Sequence, residues 1–257
     1  MKQEIRPYIL SENNWQHLKE FRYDLAVLPW GATEAHNYHL PYGTDNYEGE
    51  SLAAEAAGYA WEAGGKLVVL PGIPFGVNTG QSDIYLDINL NPSTQLVILA
   101  DIISTLDRQG IKKLLIFNSH GGNNFKPLVR ELGLKFPEVW ICFSNWFHAL
   151  DRDTFFQESG DHADELETSL MLHLKPELVL PRDTWGEGTA KEHRIGAFKE
   201  GWAWAERKWS QISADTGVGN PQAATAEKGA RYFEAITKKL GGFMLELCKA
   251  DRNNLYQ

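Results

Sequence analysis

The chain has 257 residues, 43% of them hydrophobic, which is enough to bury a sizeable core, and a single domain spanning 1–257 is expected. A formal net charge of −9 without a basic cluster argues against nucleic acid or another polyanion as a partner. Cys142 and Cys248 lie far apart in no C-x-x-C pair, so neither a disulfide framework nor a zinc ribbon is indicated.

The first twenty residues are polar and lack the apolar core of a signal peptide, and no apolar run approaches bilayer length. The expectation is a cytoplasmic protein without a membrane partner. Apolar runs then recur, each closed by turn residues: "LAVLPWG", "KLVVLPG", "KKLLIFNSHGG" and "VWICFSNW". They read as buried strands of a mostly parallel sheet. Helical patterns fall between them, over Asn46 to Ala63 and over Ser93 to Arg108, with Ser93 as the expected cap and Gly110 just past the end. Alternation of this kind predicts α/β layers with helices on both faces. Residues 181–221 mix Gly, Trp and charge without a period and are expected to form an irregular excursion with short helices. Helical spacing returns between Gln222 and Ala250.

Ligands in open α/β sheets gather at the carboxyl ends of the strands. The stretch after the first strand, "GATEAHNYHLPYGTD", carries Glu34 and His36 one residue apart, so an extended chain points both to the same side. Asp45 follows after Pro41 and Gly43, which let the chain turn back, and a carboxylate there can bridge two ions of the zinc or manganese type. His120, in "FNSHGGNN", ends another strand. Asn78, in "PFGVNTG", can reach the same edge as a substrate-binding hydrogen-bonding group. In "SGDHADELETSLMLHL", Glu167 shares the register of Leu170, Met171 and Leu174 and should face inward, where a carboxylate needs a cation or donors. His162, just before that helix, is placed to act as an acid or base. Ser119 and Cys142 are read as structural, and no G-x-G-x-x-G or Walker motif follows any strand.

Together "LPWGATEAHNYHLPYGTD", "FNSHGGNN", "HADELETSLML" and "GVGNPQAATAEKG" resemble, in order, the signature blocks of the creatininase (creatinine amidohydrolase) family. The resemblance implies a three-layer αβα sandwich with a mostly parallel central sheet, a metal-activated water that hydrolyses a non-peptide or cyclic amide bond of a small molecule, and a homohexamer. It implies two divalent ions per chain, zinc in the first place with manganese and iron as alternatives. Glu34, Asp45 and His120 would hold one ion, while His36 and Asp45 would serve the other, with Asp45 bridging.

Departures from the family pattern bear on both metal and substrate. The glutamate that the family places two residues after the histidine of the second block is Gly122 here, so Glu167 is nominated to complete the second metal site, with Glu165 in reserve. His162 matches the proton-transfer histidine. Glu158 stands where creatininase has a tryptophan, and Gly121 where it has a tyrosine, so both are candidate substrate-binding positions in a pocket unsuited to creatinine. The chain looks closer to the "GGN" branch, with formamide and peptide hydrolases of cofactor biosynthesis. The competing expectation is a non-catalytic binding protein on the same fold.

Overall fold

The computed structural model describes residues 5–256. Its main sheet has four strands, β1 (Leu25–Trp30), β2 (Leu67–Val69), β3 (Lys113–Asn118) and β4 (Trp140–Asn145), all parallel and in the spatial order β2-β1-β3-β4. These are the apolar runs picked out in the sequence. A short α1 (Trp15–Leu18) precedes the sheet; α2 (Thr44–Glu62), α3 (Pro92–Arg108) and α4 (Phe125–Lys135) connect successive strands. Beyond β4 come β5 (Gly160–His162), α5 (Glu165–Leu174), α6 (Gly196–Lys199), α7 (Trp209–Ile212), β6 (Val218–Gly219) and α8 (Ala226–Lys249). Strands β5 and β6 pair antiparallel in a small second sheet that the sequence patterning did not reveal.

Period-two alternation along the strands feeds two separate cores. Leu25, Val27, Leu67, Val69, Leu115 and Phe117 point to the face covered by α2, α5 and α8, where Leu52, Leu170, Tyr232 and Ile236 meet them. Ala26, Leu28, Trp30, Val68, Leu114 and Ile116 point to the other face, against Leu99 and Ile103 of α3 and Phe125 and Leu128 of α4. Helices therefore cover both faces, as the alternation predicted. Full burial of each such Leu, Ile or Phe contributes about 1.5–3 kcal/mol, which is why the strand interiors read as continuous apolar runs rather than alternating ones.

Helix α3 begins one residue earlier than expected. Asn91 occupies the cap with extended backbone, and Pro92 takes the first helical position, where its missing N–H costs nothing; Ser93 is inside the helix. Gly110 does follow the end, at φ +83.

Helix α2 lies on one face while α3 and α4 lie on the other, and the strand order reverses between β1 and β3. That reversal opens a crevice at the carboxyl ends of β1 and β3, where α/β folds bind ligands. Among the described residues, no helix is long and apolar enough to cross a membrane.

Candidate metal centre

Glu34 and His36 leave β1 in extended chain, the turn at Pro41–Gly43 returns Tyr42 to accept the Glu34 N–H at 3.1 Å, and Asp45 enters the first turn of α2. A carboxylate there also faces the positive end of the helix dipole. His120 follows β3, and Glu167 lies in the first turn of α5, capped by Asp164, which accepts from the amides of Leu166 at 2.8 Å and Glu167 at 3.2 Å. All converge on the crevice between β1 and β3. Glu34, Asp45 and His120 form one group whose ligand atoms lie within 4.8 Å of one another, and His36, Asp45 and Glu167 form another. Asp45 is common to both: its Oδ1 lies 3.0 Å from His36 Nε2, and its Oδ2 lies 3.0 Å from His120 Nδ1. Glu34 Oε1 is 2.9 Å from that same His120 nitrogen.

The histidines share one arrangement. His36 Nδ1 meets the Glu34 carbonyl at 3.0 Å, His120 Nε2 the Val77 carbonyl at 3.0 Å, and His162 Nε2 the Ala35 carbonyl at 2.8 Å. A carbonyl only accepts, so each of these nitrogens carries a hydrogen, and the other nitrogen of each ring is turned toward the carboxylates. A buried lattice of amides fixes the His120 loop: Asn118 donates to the His120 carbonyl at 2.9 Å, and Asn123 donates to Asn118 Oδ1 at 3.0 Å. Gln95 in turn donates to Asn123 Oδ1 at 2.8 Å.

The electrostatics call for cations. Glu34, Asp45, Glu48, Asp164 and Glu165 are all buried, and Glu167 lines the same cavity. Glu48, one helical turn beyond Asp45, has no hydrogen-bond partner for either oxygen among the described residues. Burial, with Glu167, Asp45 and Asp164 nearby, pushes its carboxyl well above the usual range. Glu167 is pushed up to about 8, mainly by burial. Burial opposes a charge on His36, but the Asp45 carboxylate outweighs it and raises the imidazole to about 10. Protons on His36 and His120 thus occupy the positions that cations suit, so the donor set fits divalent ions of the zinc or manganese type.

That substitution has a measurable signature. A ligating histidine is neutral, so metal uptake at pH 7 must expel the His36 proton, and also the His120 proton, whose pKa its carboxylate partners hold well above the ordinary value. Metal affinity is then expected to rise from pH 7 toward pH 10 by about tenfold per unit for the His36 proton, and more steeply while His120 also releases one. Calorimetric titration in buffers of different ionisation enthalpy counts those protons; release of none would contradict this picture.

Glu165, the reserve ligand, lies outside the cluster. Burial raises its pKa, but the Lys228 ammonium and the amides of Glu158 and Gln157 outweigh that and hold it low. Gly122 can carry no side chain, because a Cβ there would sit 2.3 Å from the Val77 carbonyl oxygen and 2.4 Å from His120 Nε2. Ser119 Oγ accepts from Trp146 Nε1 at 2.9 Å, and burial pushes the Cys142 thiol up to about 12, so neither is primed as a nucleophile.

A cavity of about 430 Å³ opens onto the cluster, with Asn78, Gly121 and His162 in its wall. His36 lies beneath that wall, against Asp45, while Glu158 belongs neither to the wall nor to the ligand groups. Its backbone is engaged instead, N–H to Glu165 and carbonyl to Arg152 at 3.3 Å. The aromatic surface comes from the excursion, as Trp204 and Trp209, with Glu206 and Arg207 beside them. Trp209 packs edge-on against His162 with centroids 4.7 Å apart. Gln81, also unanticipated, donates to Glu34. The roots of the excursion are fastened beside the ligands: the Asn37 N–H donates to Thr216 Oγ1 at 2.9 Å, and Asn37 Oδ1 accepts from the Gly186 N–H at 2.9 Å.

A parallel sheet with buried histidine and carboxylate groups at its switch point defines the class, an α/β protein built around a candidate metal centre. Within that class, the family model for creatininase, described as creatinine amidohydrolase, matches residues 11–244, and the chain belongs to this family of hydrolases. A crystal structure from Bacteroides fragilis, provisionally named a creatinine amidohydrolase, is 43% identical, covers 98% of this chain and 99% of its own, and superposes with a TM-score of 0.91. Creatininase in its manganese form is 20% identical over 95% of this chain and 99% of its own, with a TM-score of 0.77, which shows the shared fold. The mycofactocin precursor peptide peptidase of Mycobacterium ulcerans is 26% identical over 219 residues, 80% of this chain and 79% of that protein.

Proposed function

We propose that the protein is a metal-dependent amidohydrolase whose Glu34, Asp45 and His120 hold one divalent ion and whose His36, Asp45 and Glu167 hold a second. The observation that carries this reading is the shared posture of the histidines, each tied at one nitrogen to a backbone carbonyl with the other facing buried carboxylates. A pair of divalent ions supplies Lewis acidity toward a carbonyl and lowers the pKa of water toward neutrality. The chain does the rest. Gln81 orients Glu34. Burial and the neighbouring His36 lower the pKa of His162, so it is neutral near pH 7, with Nδ1 free to take a proton. Its Nδ1 lies 3.8 Å from Glu34 Oε1, at the cavity wall. From there it delivers the proton to the departing nitrogen, which leaves poorly unless protonated. Trp209 fixes the plane of that ring.

Creatinine is expected to be a poor substrate. The aromatic surface comes from Trp204 and Trp209 rather than from position 158, so it is placed differently from the one creatininase uses, and the cavity of about 430 Å³ is loose for so small a ring. A larger amide fits better, with formamides and peptide-like amides as the two kinds to be told apart. The test compares creatinine with a panel of such amides on metal-replete enzyme, and efficient, saturable creatinine hydrolysis would defeat the substrate reading. Absence of hydrolysis throughout the panel, with metals bound, would favour a binding protein instead.

A further inference from the structure

A second cavity adjoins the one over the metal cluster. It has a volume of about 410 Å³ and shares Gly121, Asn145, Asp161, Glu167 and Arg207 with the first, so the two are lobes that meet at a candidate metal ligand. Glu34, Asp45, His120 and His162 line the first lobe and are absent from the second. We infer, on the basis of the hydrolase reading above, that the substrate is a two-armed amide. Its amine arm lies in the first lobe, and its uncharged, apolar acyl arm crosses the Gly121–Glu167 junction into the second.

The direction follows from His162. It hands its proton to the departing nitrogen and borders only the first lobe, so the nitrogen belongs on that side and the other carbonyl substituent on the far side. The chemistry of each arm follows from the walls. Trp146, Phe147 and His148 form one side of the second lobe, with Phe147 edge-on to Trp146 at 5.7 Å and to His148 at 4.7 Å and Leu166 beside them, while Ser119, Asn145, Asp161 and Asp164 line the other, so the arm's apolar group belongs against the aromatic side. Its two arginines are already neutralised, Arg152 by Asp164 at 2.7 Å and Arg207 by Asp161 at 2.9 Å, so the lobe does not call for an anion. In the first lobe, buried Asn78 donates to the carbonyls of Thr33 and Ile88, and buried Gln81 donates to Glu34. Both amides are thereby fixed in orientation, and Asn78 Oδ1 and Gln81 Oε1 have no partner among the described residues. Unpaired buried acceptors favour a ligand with N–H or O–H donors, which assigns donors to the amine arm.

The junction is open because residue 121 is glycine. A Cβ placed there meets no atom within 4 Å, so a large side chain is sterically admissible and would close the passage. The test uses one hydroxylated amine carrying a formyl, acetyl or phenylacetyl group, so that only the acyl arm changes. Metal-loaded wild-type enzyme is expected to favour phenylacetyl over formyl in kcat/KM by about tenfold or more, the scale of apolar pocket discrimination. Gly121→Phe should erase that preference at unchanged metal content. His148→Ala, at an exposed wall of the second lobe, should lower it by a few fold and guards against a misfolded first variant. A wild-type preference for formyl, or a phenylacetyl-to-formyl ratio indifferent to Gly121→Phe, would overturn the inference while leaving the hydrolase intact. If wild type cleaves none of the series, the hydrolase reading falls and this inference falls with it.

Discussion

Replacing Asp45 by alanine is expected to leave the protein without metal at either position and without hydrolysis, whereas His36→Ala keeps the ion held by Glu34 and His120. The asymmetry follows from geometry, since a single buried carboxylate spans both groups, one oxygen 3.0 Å from His36 and the other 3.0 Å from His120. Among the described residues, no other side chain belongs to both the Glu34–His120 group and the His36–Glu167 group. Loss of an outer hydrogen-bond partner of a metal ligand costs about 10–100-fold in affinity or activity, and removing a ligand shared by two ions should exceed that. Elemental analysis of the two variants, with circular dichroism to verify folding, checks the contrast. Full metal occupancy in Asp45→Ala would reject the bridge.

The neighbouring carboxylates of α5 should separate just as cleanly. Glu167→Gln is expected to lose one metal and most hydrolysis, while its metal-free form melts with metal-free wild type. Glu165→Gln is expected to keep its metal and melt several degrees lower. Glu165 is buried and ion-paired with Lys228, whose side chain is 20% exposed, so removing the carboxylate strands a partly buried ammonium. Breaking a buried pair costs about 3–5 kcal/mol, and the partial exposure of Lys228 places this one toward the lower figure. Because the folded-state pKa of Glu165 is depressed, the wild type holds this contribution above its unfolded pKa of about 4.3 and loses it as pH falls through the folded value. The stability gap between wild type and Glu165→Gln should therefore narrow in acid. Metal loss from Glu165→Gln with none from Glu167→Gln would exchange the two roles.

What the sequence made legible depended on how local each signal was. The parallel strands could be read because burial on both faces demands uninterrupted apolar runs, and Leu25 to Trp30 are buried without exception. Glu34, His36 and His120 could be singled out because each follows such a run closely. The inward turn of Glu167 was legible from its register with Leu170 and Met171. Glu158 was nominated by its match to a tryptophan position of the family, and a position match carries no backbone path: β5 intervenes before His162, and the Glu158 N–H donates to Glu165. Trp204 and Trp209 reach the cavity through contacts far apart in sequence, which no local pattern encodes. Glu48 was passed over for a related reason: α2 owes its buried face largely to Ala53, Ala56, Ala57 and Ala60, and alanines mark an inward face only faintly.

The fastening of the excursion to Asn37 joins two parts of the molecule into one thermodynamic unit. Asn37 is the residue after His36, holds a left-handed backbone at φ 53, and exchanges hydrogen bonds with Gly186 and Thr216 at opposite ends of the segment. The strap cannot open at its roots without freeing Asn37, and Asn37 cannot be freed without loosening the backbone that aims His36. The free energy of local unfolding for residues 186–216 is thus tied to how firmly His36 is held. By reciprocity, anything that binds His36 protects distant amides in the strap against hydrogen exchange, and a nick in the strap weakens whatever His36 binds.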